Sequence, residues 1–240
     1  MNLFALSDLH LSLQAPFALD DPQTLAPAKT MGIFGDGWQD HIAKIAANWQ
    51  RIVGPDDVVL VAGDISWAMT LAEAEYDLQF LGALNGRKIL LRGNHDYWWH
   101  SVKKIEAVLP PGVTLLQNNA VMLGDLAIAG CRFWTLPGSN DFSADDRKVY
   151  ERELIRAELS LQAAGEREVI FMSHFMPFNE EGDSNELIEL LAAHRVSTAI
   201  YGHIHGKKPG TAAEGLRHGI DFLLTSCDYL ACTPKLIRAL

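Results

Sequence analysis

Lys88-Ile89-Leu90-Leu91-Arg92-Gly93-Asn94-His95-Asp96 is the stretch whose reading decides the fold. A short, mostly apolar run stops at a glycine, and an amide, an imidazole and a carboxylate follow at once. The same design recurs four times. Residues 3–6 run into Ser7-Asp8, residues 58–62 into Gly63-Asp64, residues 169–172 into Ser173-His174, and residues 198–201 into Gly202-His203. Runs of this length, rich in Val, Ile and Leu and bounded by glycine and polar residues, read as strands buried on both faces. In open α/β sheets ligands collect outside the carboxyl ends of the strands, which is where each run delivers its polar residues.

Between the runs lie segments of helical period. Residues 38–53 place Ile42, Ile45, Trp49 and Ile52 on one face, and residues 71–84 and 149–163 repeat the pattern with Glu and Arg opposite. Residues 113–133 read instead as a β-meander, with turns at Asn118-Asn119 and Gly124-Asp125, and a last strand is expected over 220–227. The order is mixed α/β with helices covering sheet faces, in a single domain over 1–240. Residues 12–37 are rich in Pro, Gly and Asp and lack a period; a loop that long is either a functional lid or a solvated excursion.

The formal charge of −10, without a basic stripe, argues against nucleic acid or anionic membrane as a partner. No apolar run approaches the ~20 residues that cross a bilayer. The opening residues lack a basic region and read as a first strand rather than a signal peptide. Three cysteines with no CxxC pair (Cys131, Cys227 and Cys232) read as reduced thiols of a cytoplasmic protein.

The ligand types carry the chemistry. Asp8-Leu9-His10 and His203-Ile204-His205 each set two donors two residues apart, which in an extended segment points both to the same side. Asp64 follows a glycine, Asn94 and His95 follow another, and His174 follows a serine. A mixed Asp, Asn and His set suits borderline divalent metals such as Mn, Fe, Co, Ni or Zn. Even seven of these eight donors exceed one ordinary site and fit two ions sharing a bridging carboxylate, ~3.5–4 Å apart.

The series DLH, GD, GNHD, SH and GHIH, in this order over positions 8 to 205, resembles the calcineurin-like metallophosphoesterases. GDISWA and LRGNHDYWW resemble a bacterial branch of predicted phosphohydrolases. The resemblance implies an α/β/β/α sandwich of four layers with a dinuclear metal site at the strand C-terminal ends. It implies that Asp8, His10 and His205 hold one ion, that Asn94, His174 and His203 hold the other, and that Asp64 bridges them. His95 is left as general acid, with Asp96 expected to orient it. Two divalent ions are implied as cofactors, manganese first among them, with a metal-bound hydroxide attacking phosphorus in a small-molecule phosphate mono- or diester.

Other readings stand beside this one. Trp67, Tyr97, Trp98, Trp99, Phe175 and Phe178 either stack a substrate ring or, for most of them, pack helices onto the sheet. His41, His100, His194 and His218 lack motif context and read as surface or structural. The protein serine/threonine phosphatases of the superfamily carry GDxVDRG, whereas here Ile65-Ser66-Trp67-Ala68 follows the second motif without the arginine. Phosphoprotein activity of that kind is therefore not expected. Arg92 matches a residue of those enzymes, but its place at a strand suggests structure as much as phosphate contact. A nuclease is disfavoured by charge. A silent metal-binding scaffold is disfavoured by His95, since a scaffold needs no general acid.

Overall fold

The expected buried runs do pair as parallel strands, in two sheets. In the computed structural model, which describes residues 1–179, 182, 185–206 and 212–240, β1 (Asn2–Ala5), β2 (Val58–Ala62), β3 (Arg87–Leu91) and β4 (Val113–Leu116) lie side by side in the first sheet. A terminal strand, β11 (Lys235–Ala239), closes its edge antiparallel to β1. The second sheet orders β5 (Val121–Leu123), β6 (Leu126–Cys131), β7 (Glu168–Ser173), β8 (Val196–Tyr201), β10 (Ile220–Leu224) and β9 (Gly215–Arg217). Its four central strands are parallel and its two edges antiparallel.

Side-chain alternation divides the apolar residues into three cores. Along β2, Val59 and Val61 face outward to a core with Ile42, Ile45 and Trp49 of α1 (His41–Ile52) and Leu78 and Phe80 of α2 (Glu75–Ala83). Val58, Leu60 and Ala62 face inward, meeting Ile128, Ile170, Met172 and Ile200 of the other sheet. The second sheet's outer face packs Val169, Phe171 and Ala199 on Ala157 and Leu161 of α4 (Asp146–Ala164) and on Leu187 and Leu191 of α5 (Glu186–Ala193). Helix, sheet, sheet and helix are therefore the four layers. Since β2 is buried on both faces, its unbroken Val-Val-Leu-Val-Ala sequence is what this position requires.

Two expectations change. Residues 113–133 are not one meander, because β4 belongs to the first sheet, parallel to β3, and the chain crosses to the second sheet before β5. The polar pair expected to turn a hairpin makes that crossing. Asn118 takes a left-handed φ of 59°, and the Asn119 carbonyl accepts the Ser160 hydroxyl of α4. The turn at Gly124-Asp125 does close the β5–β6 hairpin. The last strand ends at Leu224, short of residue 227, and β11 follows it as a further strand.

Residues 12–37 form three short 3-10 turns (Pro22–Leu25, Gly32–Phe34 and Asp36–Trp38). Leu13, Leu25 and Met31, with Trp38 just beyond, pin this segment to the first outer core at separate points, while most of its other residues are exposed, Ile33 at 84%. Its root is held by Asp77, whose carboxylate accepts the Leu13 N–H at 2.8 Å and the Ser66 hydroxyl. Burial raises the Asp77 carboxyl to about 7, against the lowering pull of Ser66 and Leu13. A raised carboxyl weakens the fold as pH rises from the unfolded value through about 7, because ionisation is then easier unfolded. Asp77→Asn keeps an acceptor for Leu13 and removes the titration. Denaturant unfolding should therefore show the variant gaining on the parent between pH 4 and 7, by on the order of 3–4 kcal/mol at most.

Candidate metal centre

The candidate ligand residues sit on turns that leave the strand ends, several of them in unusual backbone conformations. Asp8, His10, Asp64 and His203 all have positive φ, at 55°, 45°, 52° and 69°. Such conformations are costly for residues with a Cβ and cluster at functional sites. The preceding glycines give the room. A Cβ on Gly63 would fall 2.5 Å from His174 Nδ1, and one on Gly93 would strike the Asp64 carboxylate.

Backbone hydrogen bonds knit these turns across both sheets. Asp8 N–H donates to the Gly63 carbonyl and His10 N–H to the Asp64 carbonyl. The Asp8 carboxylate accepts the His203 N–H at 3.0 Å and the Ser226 hydroxyl at 2.8 Å. Asp64 Oδ1 accepts the His95 N–H at 2.8 Å. His174 Nδ1 lies 2.9 Å from the Ala62 carbonyl, a bond that aims Nε2 into the cluster.

Asp64 lies between two groups of donors. Its Oδ2 is 3.8 Å from His10 Nε2 and its Oδ1 is 3.4 Å from His174 Nε2. On the first side, Asp8, His10 and Asp64 bring one ligand atom each within 4.8 Å of one another, and the His205 ring is 5.4 Å from that of His10. On the second side, Asn94 Oδ1 lies 2.7 Å from His174 Nε2 and 3.0 Å from His203 Nδ1. All seven expected ligands thus converge. Asp64 Oδ2 and both His10 ring nitrogens are buried without a hydrogen-bond partner. Buried polar atoms left so are costly, and a cation at this point satisfies them. The residues fit divalent metal.

Burial governs the electrostatics. It pushes His10 and His203 each down to about 3, and lowers His205 as well. Neutral imidazoles are the metal-binding form. Burial raises Asp8 to about 7, with His174 opposing and Asp64 adding to the rise. Burial alone would lower His174, but the charge and hydrogen bond of Asp64 carry it up to about 9. Asp64 itself is held well below the carboxylate range: burial raises it, and the charge and hydrogen bond of His174 overcome that.

His95 borders the cluster. Its ring stands 5.9 Å from that of His10 and 4.7 Å from Trp67, and its Nδ1 is buried and unpartnered. The expected orienting role of Asp96 is corrected by its actual partners. Its Oδ1 accepts the N–H groups of Ile65 and Ser66 and the Trp98 indole, and its Oδ2 accepts Gly93 N–H. Asp96 therefore splints the Asp64 and Asn94 turns together and leaves the His95 ring alone. Trp98, Trp99 and Phe178 are core residues, as expected of most of the aromatic set. Trp67 is different, since it stacks on His10 at 4.9 Å, has the Lys29 ammonium 5.2 Å over its ring and donates to Met31 sulfur. Ser226, which holds Asp8, went unremarked in the sequence. It follows β10 by the same rule that marked the others, an apolar run ending in polar residues. Trp38, edge-on to His10 and His205, carries no such signal.

Two sheets whose strand ends gather Asp, Asn and His side chains around a candidate metal group fit a metal-dependent phosphoesterase. The chain belongs to the calcineurin-like phosphoesterases, whose family model matches residues 1–207. Over 61 residues it is 39% identical to the Gene 66 protein of Mycobacterium phage L5, an alignment covering 25% of this chain and 29% of that protein. Two solved structures share the fold over 98% of this chain and 95% of their own. One is phosphopantetheinyl hydrolase PptH from Mycobacterium tuberculosis (TM-score 0.56, 13% identity) and the other is protein AQ665 of unknown function from Aquifex aeolicus (TM-score 0.50, 17% identity). At these identities the likeness concerns the fold and not the substrate.

Proposed function

We propose that the chain hydrolyses a phosphate mono- or diester of a small molecule at a dinuclear centre. Asp8, His10 and His205 hold one divalent ion, Asn94, His174 and His203 hold the second, and Asp64 bridges. The observation that carries this reading is the position of Asp64, with one carboxylate oxygen toward each histidine group. Two divalent ions supply charge neutralisation for phosphoryl oxygens and a nucleophile at neutral pH. The mixed donor set suits manganese, with iron, zinc, nickel or cobalt as alternatives.

The protein's own residues do the rest. His95, at the rim, donates a proton to the leaving oxygen. Its backbone N–H, bonded to Asp64, ties the residue's main chain to the bridging carboxylate. Ser226 and the His203 N–H hold Asp8 in its ligating orientation. Met31 and Phe34 of the 12–37 segment, with Trp38 that follows it, pack on Trp67, His10 and His205 and wall the His10 side against water.

Protein stripped of metal and refilled with Mn²⁺ should hydrolyse p-nitrophenyl phosphate or its bis ester, and the preferred ester assigns monoesterase or diesterase. Failure on both, with two ions bound per chain, would leave a metal-binding scaffold as the better account.

A further inference from the structure

A second cavity opens beside the metal centre, between the C-terminal ends of β3, β4 and β6. It holds about 120 Å³ and is lined in part by Arg92, Arg132, Arg156, His100 and Glu153. At ~30 Å³ per water in the liquid it has room for about four waters. That is too small for a nucleoside or a whole drug-sized ligand, whose pockets begin near ~300 Å³. It suits one tetrahedral oxyanion.

The charge of the lining is unbalanced. Three guanidiniums face one carboxylate, a formal excess of +2 in a chain of net charge −10. Glu153 is spoken for. It accepts Arg132 at 3.2 Å and Arg156 at 2.8 Å, and its other oxygen accepts the Phe133 N–H. That network ties α4 to the end of β6 and accounts for two of the arginines. Arg92 is left over: among the described residues it has no ion pair, and its Nε is buried without a partner, as is that of Arg132. Arg132 is also stiffened from behind, its guanidinium 4.4 Å over the Trp134 ring. Like charges kept together at a half-buried wall, with donors unspent, are stabilised by an anion.

The slot adjoins the metal ligands by covalent and hydrogen-bonded links. Arg92 stands two residues before Asn94, and the Arg132 carbonyl accepts the His174 N–H at 3.0 Å. We infer that this slot binds a phosphate group distinct from the one hydrolysed, so that the preferred substrate is a small bisphosphate. The inference rests on the phosphoesterase reading above for its substrate, though not for the slot.

Two arms separate these. Inorganic phosphate is titrated calorimetrically into metal-stripped protein, where the parent should bind it and Arg92→Gln and Arg156→Gln should each weaken binding at least tenfold. The Arg156 side chain is 42% exposed, so this variant keeps the test alive if Arg92→Gln does not fold. With Mn²⁺, the ratio of kcat/KM for 1,3-propanediol bisphosphate over propyl phosphate should fall at least tenfold in Arg156→Gln. No phosphate binding, or binding indifferent to both arginines, overturns the slot. Binding lost with the kcat/KM ratio unchanged makes the occupant free phosphate and overturns the bisphosphate assignment. If neither ester is hydrolysed with two Mn²⁺ bound, the phosphoesterase reading fails and the calorimetric arm still decides the slot.

Discussion

Asp64→Asn should cost more than about 10³-fold in metal-dependent turnover, well beyond the ~10–100-fold typical of losing a partner that only supports a ligand. The reason is placement. Asp64 is the residue with a carboxylate oxygen toward each donor group, at 3.8 Å from His10 and 3.4 Å from His174. Asparagine is nearly isosteric, tolerates the φ of 52°, and keeps an oxygen for the His95 N–H. The fold should survive, as a near-parental circular dichroism spectrum would show. An NH₂ group cannot bridge two cations, so metal content by mass spectrometry should fall from two ions per chain to one or none. A variant that kept both ions and most of its activity would remove Asp64 from the bridging position.

His95→Ala should separate chemistry from metal binding. The loss expected is in kcat, ~10²–10⁴-fold for a general acid, with both ions retained, because the His95 ring stands outside the converging ligand atoms. The deficit should depend on the leaving group. A nitrophenolate departs with little protonation, whereas an alkoxide needs the proton. An alkyl phosphate should therefore suffer more than p-nitrophenyl phosphate. Equal deficits on both would point to a positioning role for His95 instead. Metal loss in the variant would make it a ligand.

The layered α/β architecture and the gathering of the candidate site residues were both legible in the chain, and the allotment of strands to sheets was not. Asp8, Asp64, Asn94, His174 and His203 could be read because each falls two or three residues past the end of an apolar run, and strand ends in an α/β sheet face the ligand crevice. Which sheet a strand joins is not local information. Residues 113–116 and 121–131 look alike, yet β4 pairs with β3 and β5 pairs with β6, a choice made by the crossing at Asn118 and its tie to Ser160. The strand β11 escaped notice because it is a half-exposed edge and lacks the dense apolar run of a central strand. Helix ends shifted by a few residues: α4 runs from 146 to 164 against an expected 149–163. Asp96 misled because it adjoins His95 in the chain, while its carboxylate points back to Gly93, Ile65 and Ser66. Trp67 was noticed as an aromatic beside a motif, but stacking on His10 is a tertiary fact that spacing does not encode.

The proposed ligands are divided between the two leaves of the sandwich. Asp8, Asp64 and Asn94 follow β1, β2 and β3 of one sheet, and His174, His203 and His205 follow β7 and β8 of the other. A cation held by both groups is a rivet through the molecule, fastening at the rim what the apolar interface of Leu60, Ile128, Ile170 and Ile200 fastens in the middle. The leaves are already interlaced, because the chain leaves the second sheet after β10 and returns as β11 to the outside of β1. Neither leaf carries a full set of the proposed ligands, so a loosening between the leaves would part the two halves of the centre.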